Sequence, residues 1–145
     1  MRISDLLRHK GSEVVTATPG LSVTGLLDDL ARHNIGAVVV VDDAGALVGI
    51  VTERDVVRRL NDRGAQLLHA PVAEIMTTRV VTCERGDDVT AIAKIMTERR
   101  VRHMPVVADG SLVGLVSIGD VVRGRIEQLE SQSEQLERYI VRGSS

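Results

Sequence analysis

The sequence has no tryptophan and no phenylalanine, and Tyr139 is its single tyrosine. A core must therefore be packed from Val, Leu, Ile and Ala, and stiff β-branched valine suits strands buried on a pleated sheet. The missing rings also remove the stacking platforms on which single-stranded nucleic acid is held. Charge weakens that case further: 18 Lys+Arg against 20 Asp+Glu leave a net charge of −2, with no basic excess for a phosphate backbone. A lone cysteine, Cys83, excludes an internal disulfide and reads as a small, partly buried side chain in a reducing compartment. Long apolar runs are missing too. The longest, Ala37 to Val41, is far too short to cross a bilayer, and residues 1–10 carry Arg2, Asp5, Arg8 and Lys10 where a signal peptide would be apolar. The expectation is a cytoplasmic protein with neither a nucleic-acid nor a membrane partner.

Catalytic groupings are equally scarce. No Ser/His/Asp set, no paired acid–base carboxylates and no P-loop-type glycine run can be assembled. His9, His33 and His69 are scattered without ligand spacing, so no metal site is expected. This points to a binding module, not an enzyme, with no required cofactor.

What the 145 residues do contain is a duplication. Val14-Val15-Thr16 returns as Val80-Val81-Thr82, Gly20 as Gly86, Val23-Thr24 as Val89-Thr90, and Val40-Val41 as Val106-Val107. After a one-residue deletion, Gly45–Gly49 matches Gly110–Gly114, and Asp55–Arg58 matches Asp120–Arg123. Even the lead-ins correspond, Ile3–Leu7 with Val72–Met76. Each copy predicts an extended segment (Val14–Thr16, Val80–Thr82), then a helix capped by Ser22 or Asp88. Two strands follow in each (Ala37–Val41 and Leu47–Val51; Met104–Val107 and Leu112–Val116), joined by turn-rich connectors. A second helix begins near Arg54 or Gly119. A unit this thin cannot bury its own apolar face, so the two must pack together. The division is 1–62 for the first repeat with its lead-in, 63–71 for a linker, 72–126 for the second repeat and 127–145 for a tail.

The chemically informative segments are Gly49–Asp55 and Gly114–Asp120. Each sets a hydroxyl (Thr52, Ser117) three residues before a carboxylate (Asp55, Asp120) where a buried strand turns into a helix. One reading is a helix-capping box. The other is a site in which free N–H groups and the hydroxyl face a phosphate or polyol while the acid accepts from a vicinal diol. Spacing alone leaves both open.

The paired repeats, the two Gly-x-x-Thr/Ser-x-x-Asp ends and the strand Arg102-His-Met-Pro-Val106 together resemble a tandem pair of CBS (cystathionine-β-synthase) domains, a Bateman module, over roughly residues 1–126. The resemblance implies an α/β (α+β) fold: two β-α-β-β-α repeats packed about a pseudo-twofold axis, with a C-terminal helix added. It also implies two clefts for adenosine-containing ligands such as AMP, ADP, ATP, NAD(H) or S-adenosylmethionine, an adenine nucleotide or NAD(H) serving as regulatory ligand. Carried over by position, Asp55 and Asp120 would hold ribose hydroxyls, with Thr52 and Ser117 beside them. Thr16 and Thr82 would border the adenine, and Ala37, Val38, Met104 and Pro105 would supply the apolar wall. Arg102 and His103 stand where phosphate contacts fall, although His103 also reads as a core histidine. The first repeat has Gly36-Ala37 there, so either its phosphate charge comes from elsewhere, with Arg54 and Arg58 as candidates, or that cleft is the weaker one. Arg99 and Arg100 read as solvating a helix end.

In the tail, Ile126, Leu129, Ser133, Leu136 and Ile140 recur in steps of three and four, a heptad-like seam flanked by glutamates. So short a helix needs a partner, and packing across a twofold homodimer is favoured over folding back on the same chain. Arg142–Ser145 reads as a frayed end. The chain is thus expected to be a nucleotide sensor. A ligand-independent scaffold and a regulatory subunit of a separately encoded enzyme or transporter, with that protein as partner, are the rivals.

Overall fold

In the computed structural model, which describes residues 1–143, the chain runs α1 (Ile3–Lys10), β1 (Thr16–Ala17), α2 (Val23–His33), β2 (Ala37–Val41), β3 (Leu47–Thr52) and α3 (Glu53–Arg63). Two 3-10 turns, Gly64–His69 and Val72–Glu74, lead to α4 (Val89–Arg99), β4 (His103–Ala108), β5 (Ser111–Ser117) and α5 (Ile118–Gly143). The fold is α/β, in two matched halves.

Local signals explain most boundaries. Ser22 Oγ accepts from the Gly25 N–H at 3.1 Å, and Asp88 Oδ2 from the Ala91 N–H at 3.2 Å, so both predicted caps form. Helix α2 stops at Asn34 and α4 at Arg100, each in the left-handed region. β2 pairs antiparallel with β3, and β4 with β5, both as hairpins.

The halves differ at their leading edges. β1 pairs parallel with β2, with Thr16 opposite Val39. The expected strand at Val80–Thr82 does not form, and only Cys83 makes a parallel bridge, to Val106. Proline explains this. In the first half the Val39 N–H donates to the Val15 carbonyl at 3.4 Å. Pro105 stands at the matching place in the second half and has no N–H to give.

The two cores exchange their lead-ins. Ile3, Leu6 and Leu7 of α1 are buried with Val89, Ile92, Met96, Met104, Val106 and Val116 of the second repeat. Val72 and Ile75 are buried with Val23, Leu26, Leu30, Val38, Val40 and Val51 of the first. The stretch expected as a linker is folded as well: Leu67 is fully buried and Ala70 nearly so, both in the first core. Glycines receive the lead-ins at matched places. A Cβ on Gly114 would lie 2.7 Å from Leu7 Cδ2, and one on Gly49 would lie 2.6 Å from Met76 Sδ. Each repeat is thus completed by the other's leading segment, which holds them in one unit.

Cys83 is buried, and burial pushes its thiol up to about 12, with the Asp87 carboxylate adding to the shift. It packs as a small apolar residue in the second core.

Helix α5 runs without a break from the second repeat into the tail. Beyond Gly124 it leaves the protein surface: Leu129 is 49% exposed, Leu136 63% and Ile140 66%. The reading in which the tail folds back on its own chain is therefore wrong. Of the frayed end expected at Arg142–Ser145, Arg142 and Gly143 are still helical, and Ser144 and Ser145 lie outside the described residues.

Candidate ligand cleft

Both strand-to-helix turns carry genuine capping boxes. The Thr52 N–H donates to Asp55 Oδ2 at 2.8 Å, and the Asp55 N–H donates to Thr52 Oγ1 at 3.2 Å. Ser117 and Asp120 repeat this with the same distances. Each helix start is also tied to the neighbouring strand, through Glu53 N–H to the Gly36 carbonyl at 3.0 Å and Ile118 N–H to the Arg102 carbonyl at 2.8 Å. Capping engages one oxygen of each carboxylate. The second oxygen decides what else the acid can do, and there the two sites part.

Asp55 Oδ1 has no protein partner among the described residues, and the carboxylate opens onto a cleft of ≈ 510 Å³. That volume is in the usual range for small-molecule sites. One wall comes from the first repeat (Thr52, Glu53, Arg54, Asp55 and Arg58), the other from the second (Arg79, Val80, Val81 and Arg99 to His103). Six arginines therefore face two carboxylates: Arg54, Arg58, Arg79, Arg99, Arg100 and Arg102. Among the described residues none of these guanidiniums is in an ion pair. Six positive charges against two negative ones at one cleft raise the local potential for an anion.

His103 lies in this cleft against Gly36, where a Cβ would sit 3.5 Å from the ring. It is half-buried, not a core histidine. Burial lowers its pKa, Lys10 and Arg102 lower it further, and Glu53 and Asp120 pull the other way.

Asp120 is spoken for. Its Oδ2 accepts from Lys10 Nζ at 2.6 Å as well as from Ser117, and its Oδ1 accepts from Arg123 at 3.2 Å. Burial works against this charge, but the Lys10 and Ser117 hydrogen bonds outweigh it and hold the carboxyl below its ordinary value. The space beside it is only ≈ 220 Å³.

Of the residues expected at the sites, Thr52, Arg54, Asp55, Arg102 and His103 meet in the large cleft, while Asp120 stands alone in the small one. Ser117 does no more than cap with it. Thr16 and Thr82 are exposed and line neither cavity, Val80 and Val81 taking that place. Ala37, Val38, Met104 and Pro105 are buried within the hairpin strands and line neither cavity, Ala37 opposite Thr52 and Met104 opposite Val116. The phosphate-type residues of the second repeat thus face the acid of the first. Arg79, Arg99 and Arg100 were not anticipated at a site. Arg79 could have been found by extending the match of the two lead-ins, which pairs it with Lys10.

A duplicated α/β chain with a basic cleft between its halves defines a small paired-repeat module. The model of the CBS domain matches residues 3–62 and 72–127, and the chain belongs to that family as a CBS-domain pair. It is 34% identical over 97% of its length to a mitochondrial CBS domain-containing protein, CBSX3, of Arabidopsis thaliana, covering 72% of that protein. The crystal structure of the CBS-domain protein ATU1752 from Agrobacterium tumefaciens superposes with a TM-score of 0.84 at 43% identity, over 86% of this chain and 99% of that one. The CBS-domain pair of protein MJ0100, solved with 5′-methylthioadenosine and S-adenosyl-L-methionine, gives 0.79 at 29% identity, over 88% and 98%. No helix of the described residues is long and apolar enough to cross a membrane. Among them no three or more His, Cys, Asp or Glu side chains gather where they could hold a metal ion.

Proposed function

We propose that this CBS pair is a non-catalytic cytoplasmic sensor that takes an adenosine phosphate (AMP, ADP, ATP or NAD(H)) at Asp55. The observation that carries this reading is the six arginines with no ion-pair partner among the described residues, set beside a carboxylate with one free oxygen. Asp55 Oδ1 can accept from ribose hydroxyls while the arginines take phosphate oxygens, for which a guanidinium is well shaped. S-adenosylmethionine, with its sulfonium cation, suits the same cleft poorly. That MJ0100 holds adenosine compounds supports the adenosine half of the reading.

A thermal-shift series tests it. At a hundredfold excess over Kd, linkage contributes about 2.7 kcal/mol, which raises Tm on the order of 5 °C for a chain of this size. ATP, ADP and NAD(H) are expected to stabilise more than S-adenosylmethionine. The reverse order removes the phosphate preference, and no shift with any of them favours a scaffold.

The same reading makes the protein a homodimer, with any separately encoded enzyme or transporter as the partner it regulates. Ile126, Leu129, Leu136 and Ile140 form an exposed apolar stripe on α5, of a kind soluble monomers rarely leave in water. Ser133 interrupts the seam, so the helices alone would pair weakly. Truncation after Gly124 should shift sedimentation toward monomer at micromolar concentration. A truncated chain that stays fully dimeric would mean that the tail serves another partner.

A further inference from the structure

The two capped turns are built from matched residues, yet only Asp55 keeps a free oxygen, and the space beside Asp120 is the smaller and is lined mostly by α1 and α5. In the first half, the Thr77 N–H donates to the Ile50 carbonyl at 2.8 Å, and the Ile50 N–H donates back to the Thr77 carbonyl at 3.0 Å. The lead-in is held there in extended form, and the chain passes along the cleft wall with Arg79 in it. In the second half the lead-in stays helical through Lys10, so no such backbone bridge forms. Leu115, the counterpart of Ile50, receives its bond from a side chain instead: Lys10 Nζ donates to its carbonyl at 2.7 Å and to Asp120 Oδ2 at 2.6 Å. Arg123 holds the other oxygen. The acid that would accept from a ribose is thus filled on both oxygens by the chain itself.

We propose that Lys10 closes the Asp120 cleft, so that the protein takes one nucleotide per chain, at Asp55. This rests on the reading of the Asp55 cleft given above. The ammonium sits where diol hydroxyls would have to donate, and it cannot be matched there by a neutral hydroxyl pair without losing a charge-assisted bond in a half-buried setting. Lys10 is a specificity residue by occupation. Arg79, its counterpart, makes no hydrogen bond or ion pair with Asp55 and leaves Oδ1 of that carboxylate free.

Equilibrium dialysis with AMP counts the sites. The intact chain should bind one AMP, and Asp55→Ala should remove it. Lys10→Ala should bind a second, with affinity at the Asp120 cleft raised at least about tenfold. The double variant Lys10→Ala/Asp120→Ala should return to one. Lys10→Ser serves if the alanine variant melts too low to assay. An intact chain that binds two AMP, one of them lost in Asp120→Ala, overturns the inference. So does a Lys10 variant that gains nothing. If the intact chain binds no AMP but the Lys10 variant gains an Asp120-dependent site, the inference stands and the reading of the Asp55 cleft falls.

Discussion

Asp55→Ala is expected to weaken AMP or ATP binding about 10- to 150-fold, because a hydrogen bond to a charged group contributes roughly 1.5–3 kcal/mol. The side chain serves two ends, and they must be separated. Its Oδ2 caps α3 through the Thr52 N–H, so the alanine variant also loses a capping interaction of about 1 kcal/mol and should melt a few degrees lower. Asp55→Asn resolves this. The amide oxygen can still accept from Thr52, whereas the negative charge and one of the two acceptors are gone. Under the binding reading, asparagine should retain most of the melting temperature and still lose most of the affinity. If asparagine binds AMP as the intact chain does, Asp55 is a cap and nothing more. Calorimetry suits the measurement, since a chain with one tyrosine and no tryptophan offers little intrinsic fluorescence.

The fold was legible because its signals are local. Ser22, Asp88, Thr52 and Ser117 cap helices wherever tertiary structure puts them, and the valine-rich hairpins pair with their nearest neighbours. The duplication told that a pair must pack. It could not tell that the lead-ins change places, since Ile3–Leu7 and Val72–Met76 are equally apolar and fit either core. That exchange decides the sites. It carries Lys10 to Asp120 and Arg79 to the Asp55 cleft, and a reading confined to each repeat finds neither. The same limit hid Arg99 and Arg100. On α4 they look like the solvated end of a helix, and only the packing of one repeat on the other turns them toward Asp55. The missing strand at Val80–Thr82 was legible in principle. Pro105 lies in the partner strand, and its lost donor could have been counted from the sequence.

Arg79→Gln combined with Arg102→Gln should cost ATP about 100-fold in affinity and leave adenosine within about threefold. The cleft's arginines are exposed, so solvent screens each of them, and the lower end of the charge-assisted range, about 1.5 kcal/mol each, is the proper choice. Two such losses multiply to about 100-fold if they act independently. Both residues belong to the second repeat's wall, across from Asp55, so neither substitution touches the α3 cap or the buried cores. Adenosine carries the ribose and the base but no phosphate, and it should report only on Asp55 and the apolar surface. The ratio of adenosine to ATP affinity is therefore the measurement, and it cancels any general weakening of the fold. Ionic strength gives a second reading of the same physics. Raising salt shortens the Debye length from about 10 Å at 0.1 M to about 3 Å at 1 M, so ATP binding should fall steeply in the intact chain and more gently in the double variant. Should the variant lose ATP and adenosine alike, the arginines hold the cleft together and do not read phosphate. Should it lose neither, the positive wall faces something other than a nucleotide, and the anion must be sought among the partners of the exposed α4 end.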